Sequence, residues 1–353
     1  MRCTSFAAIF LSACGVLSCE SKVGLLHECE VRMEKPRHVM RVGKDESFIA
    51  DFPDVLHAMD LQIIADSVLV IQGQPENQDS PVFAAYCTKD FSPIGFYTKQ
   101  GRGPGELISP SIVSSDSRQG ELFIRDNATG EIFRMPVGQC EELNLDPILK
   151  KVEHPAGMVD WAPLNRESGL FLLQDQTETL FRMIAGSESH DLHPFKGLDA
   201  DRYMTKLSLA MTGNEASGKI ACAMLCFPQV LILDAKAHML HSTAVDASYR
   251  KWRAILNSPF GPDSIQYYSD ITASGKYIFA KYDGCSLSEF MNPEHAAHIH
   301  VFDWDGNFLY NFQLNDHIGA IAWDESSGYL YCTDNASGGI IRYDLKEIIE
   351  PYS

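Results

Sequence analysis

Two stretches near the C-terminal end decide the fold: IHVFDWDGNFLYNFQLN (residues 299–315) and GAIAWDESSGYLYCTDN (residues 319–335). In both, short runs rich in apolar residues are separated by turns of Asp, Asn, Ser or Gly, the pattern of antiparallel β-strands. Asp305-Gly306 separates two apolar runs, and this dipeptide is a strong signal for a two-residue hairpin because both turn positions need a positive φ. We therefore predict consecutive antiparallel strands here.

The same pattern recurs along the chain with a period of about 50 residues, which is typical of propeller blades, each a four-stranded antiparallel sheet. The predicted blades cover residues 61–99, 111–142, 145–195, 207–245, 267–314 and 319–345. The sequence thus predicts an all-β fold, a six-bladed β-propeller. A pair of β-sandwich domains is the alternative, which would explain the strand content but not the period.

The last predicted blade contains only three clear strands, whereas a surplus strand is predicted within residues 38–49. A closed ring leaves no long exposed sheet edge. We therefore expect the N-terminal strand to complete the last blade by pairing with residues 340–343, so that the ring closes and the two chain ends are locked together.

The N-terminus has the features of a bacterial export signal. Met1-Arg2 is a short positive segment, residues 6–17 are mostly apolar, and small residues precede Cys19. This arrangement fits a lipobox, in which a signal peptidase cuts before a cysteine that then carries lipid. Cys14 also fits, but cutting there would leave a very short apolar segment, so we predict lipidation of Cys19. An ordinary secretory signal with an incidental cysteine is the alternative.

This interpretation divides the chain into three parts: a lipoprotein signal peptide (residues 1–18), a lipidated tether (residues 19–37) and the propeller (residues 38–353). No stretch of 18 or more apolar residues occurs, so the sequence does not predict a membrane-spanning helix. We expect the protein in the bacterial cell envelope, attached by its lipid to a membrane, by preference the outer membrane.

Further motifs point to a known family. QGRGPGEL (residues 100–107) lies between the first two predicted blades, AKYDG (residues 280–284) precedes a variable loop, and IIRYDL (residues 340–345) follows the two stretches quoted above. Together with the lipobox, they closely resemble the TolB-like six-bladed β-propeller lipoproteins of Gram-negative bacteria. The resemblance covers nearly the whole chain after the signal and implies the fold and the lipid anchor. That family carries no established activity or catalytic residues, so the resemblance implies none.

The charge of the chain limits its partners. Lys and Arg number 29 against 47 Asp and Glu, a formal net charge of -18. Such a charge argues against phosphate-backbone binding, so we expect no nucleic-acid partner. It fits a solvated surface in an exported compartment.

The sequence shows no set of catalytic residues. It has neither the Gly-x-Ser-x-Gly nucleophile motif nor the His-Glu-x-x-His metal motif. The glycines of residues 101–106 precede a predicted strand rather than the helix that a phosphate loop requires. The seven cysteines after Cys19 are scattered, without a Cys-x-x-Cys pair, and we expect most to be buried small apolar residues. We predict no cofactor.

Two places invite a metal interpretation. Residues 303–307 have alternating acids before a glycine but lack the later bidentate glutamate of a calcium loop, so a hairpin is the better prediction. His298 and His300 would share one strand face near His295, but no third ligand is evident. We predict no metal at either place.

A catalytic alternative remains open. Lactonase-type six-bladed propellers hold calcium with acids and amides at the mouth of the channel. The nearest equivalents in this chain are Asp160, Asp270 and Asp316, which are too few to establish a site. A propeller hydrolase or lactonase with a metal at the channel mouth is therefore the second hypothesis.

The favoured hypothesis is a non-catalytic binding or scaffold module. Loops that join one blade to the next share a face with the loops between second and third strands, and the long ones cover residues 245–270 and 283–298. Long loops are often functional, and aromatic and arginine side chains anchor interfaces. We predict a protein, peptide or glycan partner at this face, and the candidate contact residues are Arg102, Glu106, Trp252 and Phe290.

Overall fold

The computed structural model describes residues 29–48, 50, 52–77, 79–115, 120–137, 140, 148–174, 180–193, 204–292 and 294–349. The predicted signal peptide and Cys19 lie outside the described residues. Within these ranges, no helix has the length and apolar character needed to cross a membrane.

Six small antiparallel sheets follow one another along the chain, each built from strands that alternate in direction. Two short strands precede them, β1 (Val31–Met33) and β2 (His38–Arg41). Blades one to three consist of β3 (Ala58–Ile64), β4 (Val68–Gly73), β5 (Pro81–Cys87) and β6 (Pro93–Lys99); β7 (Pro110–Ile112), β8 (Glu121–Asp126), β9 (Ile132–Pro136) and β10 (Lys150–Val152); and β11 (Met158–Pro163), β12 (Ser168–Leu173), β13 (Phe181–Ala185) and β14 (Glu188–Leu192).

Blades four to six complete the ring. Their strands are β15 (Leu209–Asn214), β16 (Lys219–Met224), β17 (Gln229–Asp234) and β18 (Met239–Ala244); β19 (Ile265–Ala273), β20 (Tyr277–Ser286), β21 (His298–Asp303) and β22 (Phe308–Gln313); and β23 (Ile318–Asp324), β24 (Tyr329–Asp334) and β25 (Ile340–Asp344). Three short helices are α1 (Trp252–Asn257), α2 (Leu287–Phe290) and α3 (Lys346–Ile349). The six-bladed β-propeller predicted from the sequence is confirmed.

Blade two has a fourth strand that the sequence spacing placed in the third blade. β10 pairs with β9, so that Lys150 lies opposite Arg134 and Val152 opposite Ile132. Lys150 and Lys151 are exposed. An outer strand of this kind lacks the apolar alternation by which strands are predicted.

The predicted pairing of residues 38–49 with the last blade is wrong. Strand β2 instead runs parallel to β22, on the outer edge of blade five, and β25 pairs only with β24 among the described strands. The segment that follows β2 forms one backbone hydrogen bond with β25, which Asp45 N donates to Arg342 O at 2.8 Å. A parallel strand needs no hairpin to its neighbour, so short pieces of one passing segment can cover the edges of successive blades.

We call residues 29–48 the N-terminal strap. It first adds β1, parallel to β18, to the outer edge of blade four, and then adds β2 to blade five. β1 lies inside the segment expected to be a tether, so part of that segment belongs to the propeller. The strap shields sheet edges that would otherwise be open to pairing with another chain.

The ring closes where blade six packs directly against blade one. Ala58 N donates to Gly338 O at 2.8 Å, and Ala58 and Leu61 share a hydrophobic cluster with Ala322 and Tyr331. Each of these two blades comes from one continuous segment. The seam is therefore held by side-chain packing and by the strap rather than by a blade that both chain ends build.

A disulfide joins blade one to the segment that follows β9. Cys87, at the end of β5, is bonded to Cys140, with a Cα–Cα distance of 5.0 Å and a sequence separation of 53. The other cysteines of the described residues are free, and Cys222, Cys226 and Cys332 among them are buried. A structural disulfide fits an oxidising, exported compartment.

Candidate ligand site at the channel mouth

Strand direction decides which loops share a face of the ring. In each blade the innermost strand begins at the face where the loop from the preceding blade ends, and the second strand returns to that face. The loops at residues 100–109, 245–264 and 287–297 therefore surround one opening of the central channel. We call this side of the ring the loop face.

A cavity of about 350 Å³ lies at the channel opening on the loop face. It is lined by the inner strands of blades two to five and by second-strand side chains of blade two. The lining residues are Ser111, Ile112, Val113, Ser114, Arg125, Asn127, Asp160, Trp161, Ser208, Leu209, Ala210, Met211, Leu225, Tyr268, Ser269, Asp270 and Ile271. Hydroxyl, amide and charged groups predominate at its opening, so the cavity suits a polar ligand.

Three alternate blades carry an aspartate at the same place of their inner strand: Asp60 in blade one, Asp160 in blade three and Asp270 in blade five. Each follows an irregularity in the strand register. In each, Oδ1 accepts a hydrogen bond of 2.8 Å from the N–H of the next residue. β-Bulges turn a side chain out of the regular alternation, and here they direct carboxylates toward the channel.

Burial raises the pKa of these carboxyl groups. It raises the pKa of Asp160 to about 6, against the opposing effects of the Trp161 N–H and the Arg125 charge. It raises the pKa of Asp270 to about 6 as well. The pKa of Asp60 is raised by burial and then by the negative charge of Asp270. Asp160 and Asp270 lie deep in the molecule but keep a small accessible surface, because they line the channel.

These aspartates do not form a metal cluster. Among the residues that the structure describes, no group of three or more His, Cys, Asp or Glu side chains is arranged to hold a metal ion. Asp316, named with Asp160 and Asp270 as a candidate ligand, is engaged elsewhere. Its Oδ2 accepts from Tyr343 Oη at 2.7 Å and its Oδ1 from Lys44 Nζ at 3.3 Å.

Arg125 is the unpaired cation of the cavity. It lies on β8 opposite Ser111, whose small side chain leaves room above it. Its Nε–H is buried and has no hydrogen-bond partner. The positive charge lowers the pKa of Asp160 through space, but no described residue forms a hydrogen bond or ion pair with the guanidinium. Buried donors almost always have a partner in folded proteins.

The glycine-rich loop at residues 100–107 is built around Glu106. The Glu106 carboxylate accepts a hydrogen bond from Gly103 N at 2.7 Å. A Cβ at Gly101 would lie 2.0 Å from that carboxylate, and Gly105 has a φ of +77°. Glu106 therefore stabilises the loop from inside, whereas Arg102 is exposed on it.

Trp252 anchors the loop at residues 245–264. Its side chain is 8% exposed and packs in a hydrophobic cluster with Leu256. The Arg253 guanidinium lies 4.6 Å from the Trp252 ring. Lys206 fixes the end of α1 by donating to the carbonyl oxygens of Ile255 and Ser258. Burial lowers the pKa of Lys206.

Phe290 covers a buried ion pair. Lys281 Nζ lies 3.2 Å from Asp283 Oδ1 and donates to Ser269 Oγ at 2.9 Å. The Phe290 ring lies over Lys281, with Nζ 4.9 Å from the ring centroid, and its centroid lies 6.1 Å from that of the tilted His295 ring. Phe290 is half-buried, so it both shields the pair and reaches the surface.

The histidines near blade five serve the core. His300 is buried, stacks on Tyr282 with ring centroids 4.1 Å apart, and accepts or donates a hydrogen bond with Tyr268 Oη at 3.1 Å. Burial lowers the pKa of His300 well below its ordinary value. His298 lies at the start of the same strand, and its pKa is also lowered by burial.

The Asp303 segment forms a hairpin, but not with the predicted two-residue turn, because Asp305 does not have a positive φ. Gly306 has a φ of +77°. The Asp303 carboxylate accepts hydrogen bonds from Asp305 N at 3.0 Å and Asn307 N at 2.9 Å. The acid thus stabilises the turn from within.

A second cavity, of about 470 Å³, lies under the loop at residues 245–264. Apolar groups and loop backbone form most of its wall. The lining residues are Lys206, Cys226, Ile255, Ser258, Pro259, Gly261, Pro262, Asp263, Ser264, Ile265 and Tyr267. Phe260, on the same loop, is 42% exposed.

Sequence reasoning missed Asp60 and Arg125. A recurring signal could have found Asp60, because Met-Asp-Leu (residues 59–61), Val-Asp-Trp (159–161) and Ser-Asp-Ile (269–271) all lie on inner strands. No signal marks Arg125, because only the folded structure shows that a donor lacks a partner.

Comparison with solved structures supports the fold. A member of the DUF4221 family from Bacteroides vulgatus has 10% sequence identity and a TM-score of 0.53, over 85% of this chain and 94% of that chain. A protein from Bacteroides fragilis with the name "Putative exported protein" has 12% identity and a TM-score of 0.50, over 89% of this chain and 98% of that one. No family model and no curated protein matches the sequence. At these identities the similarity shows the six-bladed propeller fold alone.

Proposed function

We propose that this chain is a TolB-like lipoprotein of the cell envelope, a non-catalytic binding module that holds a protein or peptide partner on its loop face. The observation that carries the proposal is the cavity of about 470 Å³ under the loop at residues 245–264. A largely apolar pocket at an exposed loop suits an apolar anchor side chain of a partner.

Exposed apolar side chains lie on the loops and strand starts of the same face. Leu56 is 67% exposed, Met59 55%, Phe260 42%, Ile265 40% and Met291 70%. Large apolar groups gathered on one side of a soluble domain mark interaction surfaces. They favour a protein or peptide partner over a glycan, which would need mainly polar contacts.

The residues named from the sequence have different places in this proposal. Arg102 and Phe290 are accessible and would contact the partner at the rim of the loop face. Trp252 and Glu106 would shape the loops that the partner meets, because Trp252 packs into the core and Glu106 holds the glycine-rich loop. Truncation of Trp252 would then affect partner binding only indirectly, through the shape of the loop.

The lipid anchor is the second part of the proposal. Cys19 would become the acylated first residue of the mature protein, and acyl chains supply about 0.8 kcal/mol of membrane affinity per buried CH₂. Cys19→Ser should release the protein from the membrane fraction or leave it unprocessed. Correctly cut Cys19→Ser protein that stays in the membrane fraction would contradict this part.

Partner capture tests the binding surface. The soluble body, residues 20–353, is used as bait in an envelope extract, and Ile265→Asp is compared with Ile148→Asp. Ile148 is 71% exposed and lies beside the outer strand of blade two, away from the loop face. We expect Ile265→Asp to weaken capture of the same partner by about 30-fold, as at an interface hot spot, and Ile148→Asp to leave it unchanged.

Two further variants separate surface contact from loop anchoring. Phe290→Ala should weaken capture, whereas Trp252→Ala should chiefly lower the melting temperature. Equal losses of capture for Ile265→Asp and Ile148→Asp would contradict the proposed surface. Unchanged capture in Ile265→Asp, with folding intact, would place the partner on another face.

A further inference from the structure

The cavity at the channel mouth contains charges that the chain itself does not neutralise. Arg125 contributes a guanidinium whose Nε–H is buried without a partner. Asp160 and Asp270 contribute carboxyl groups to the same wall. Each carboxylate accepts backbone N–H groups through some of its lone pairs, and neither forms an ion pair with Arg125.

Such an arrangement is costly in the empty protein. A buried donor without an acceptor loses the hydrogen bonds that it had to water, and a desolvated carboxylate loses part of its hydration. Polar groups that are left unsatisfied in a folded protein require an explanation, and a ligand that supplies the missing partners is the one that the lining chemistry fits.

From these groups we propose that the cavity binds a small zwitterion, a free α-amino acid. The ligand carboxylate pairs with the Arg125 guanidinium, and the ligand ammonium faces Asp160 on the same wall. The inference does not depend on partner binding at the loop face, because the second cavity and the channel cavity have different walls.

Size and charge agree with this ligand class. A volume of about 350 Å³ accommodates an amino acid of moderate size with a few waters. A guanidinium has a planar set of donors that matches a carboxylate in bidentate geometry. The Asp160 carboxylate and the serine hydroxyls of the wall supply acceptors for three ammonium hydrogens. A ligand with only one charge would satisfy one side of the cavity and leave the other unpaired.

Other ionisable groups surround the cavity and affect its response to pH. Asp60 on β3 and Lys281 on β20 lie close enough to Asp270 to change its titration, and Asp283 on β20 adds a negative charge. Cys222 on β16 lies near Asp160. Burial raises the pKa of Asp160 to about 6, so acidification through pH 6 removes the charged partner of the ligand ammonium while Arg125 keeps its charge.

Isothermal titration calorimetry of the soluble body, residues 20–353, tests the proposal. The probes are L-alanine, L-serine and L-glutamine, with propionate and ethylamine as fragments that keep one charge each. We expect at least one amino acid to bind at pH 7.5 and to bind roughly tenfold more weakly at pH 5, where each protonated carboxyl loses its charge. Propionate and ethylamine should bind far more weakly than the amino acid that contains both groups.

Arg125→Gln should weaken amino-acid binding by about 30-fold or more, because the ligand carboxylate would lose a buried charged partner. Arg37→Gln is the matched control, since Arg37 is exposed on the strap and should leave binding unchanged. Ala210→Leu provides a second variant, which fills the cavity from β15 and keeps both charges. It should also abolish binding.

The outcomes are distinct. Absence of binding by all three amino acids to the folded wild-type protein overturns the proposal. Propionate that binds as tightly as the best amino acid, and more tightly at pH 5, would replace it with a simple anion site. A large fall in the melting temperature of ligand-free Arg125→Gln would show that Arg125 is structural, and binding that survives Ala210→Leu would exclude the cavity.

Discussion

Two arginines, one at the outer rim and one at the channel mouth, are treated in opposite ways. Arg342 on β25 forms an ion pair with Asp45 of the strap at 2.8 Å, and its guanidinium lies 3.9 Å from the Tyr329 ring centroid. Arg125 on β8 has a buried Nε–H without a partner. At the outer rim, Arg342 pairs with the strap and helps to hold the ring together. At the channel mouth, Arg125 keeps a buried donor without a partner. If the proposed ligand site is correct, the residues that stabilise the ring and those that bind the ligand lie at different distances from its axis.

Removal of the strap should have the largest effect on the stability of the ring. Deleting residues 20–48 from the soluble body removes β1 and β2 and exposes the outer edges of blades four and five. We expect a loss of unfolding free energy on the order of 5 kcal/mol, because several backbone hydrogen bonds of about 1 kcal/mol each disappear together with the side-chain packing. Edge-to-edge self-association should follow. Chemical denaturation and analytical ultracentrifugation measure both effects.

Deletion of residues 20–28 alone is the control and should change neither quantity. A protein without residues 20–48 that stays monomeric and melts like the wild type would show that the strap does not stabilise the ring.

The disulfide ranks next. Cys87→Ala/Cys140→Ala should lower the unfolding free energy by about 4 kcal/mol, because the link closes a loop of 53 residues in the unfolded chain. Urea denaturation with and without reductant measures it. Cys285→Ala, at a free cysteine, is the control. A wild type whose stability does not respond to reductant would contradict the role of the link.

A substitution at the channel mouth should raise the unfolding free energy rather than lower it. The pKa of Asp160 is raised from 3.8 to about 6 by burial, so the folded protein binds this proton more tightly than the unfolded chain does. Its contribution to stability is complete below pH 4 and is lost as pH rises through 6. Asp160→Asn should therefore stabilise the ligand-free protein at pH 7.5 by up to about 3 kcal/mol, less where channel water screens the charge.

Thermal melts between pH 4 and pH 8 test this sign. The difference between Asp160→Asn and wild type should grow as pH rises through 6, while the exposed Asp54→Asn shows no such trend. Destabilisation by Asp160→Asn at pH 7.5 would mean that the charged carboxylate supports the fold.

The smallest expected effect is at the rim ion pair. The pKa of Asp45 is lowered, chiefly by hydrogen bonds from Ser47 and also by Arg342. Its contribution to stability is present above its unfolded pKa and is lost as pH falls below about 4. Asp45→Asn should cost about 1 kcal/mol at pH 7 and progressively less as pH falls through the lowered pKa of Asp45. The contributions of Asp45 and Asp160 to the unfolding free energy should therefore change with pH in opposite directions. The same direction for both would contradict the contrast between rim and channel mouth.

The sequence predicted the parts of the fold that depend on repeated local pattern. Alternating apolar runs and Gly or Asp turns recur in every blade, so six blades followed from spacing. The strap was assigned to the wrong blade because β2, His38–Arg41, has a mostly exposed surface, and a short parallel strand has no turn to fix its neighbour. The sequence predicted only part of the channel site. It pointed to Asp160 and Asp270, whereas the role of Arg125 follows only from the structure, in which its Nε–H lacks a partner.

The course of the strap also determines how the ring is presented to its surroundings. With a lipid on Cys19, the ten residues to Cys29 reach at most about 36 Å, and the chain then joins the rim at blade four through β1. Under the proposed lipidation, the membrane would therefore hold the body at its outer edge, at blade four, rather than at the channel axis. Neither opening of the central channel would then have to face the bilayer, and the channel mouth and the loops around it would remain accessible to ligands and partners.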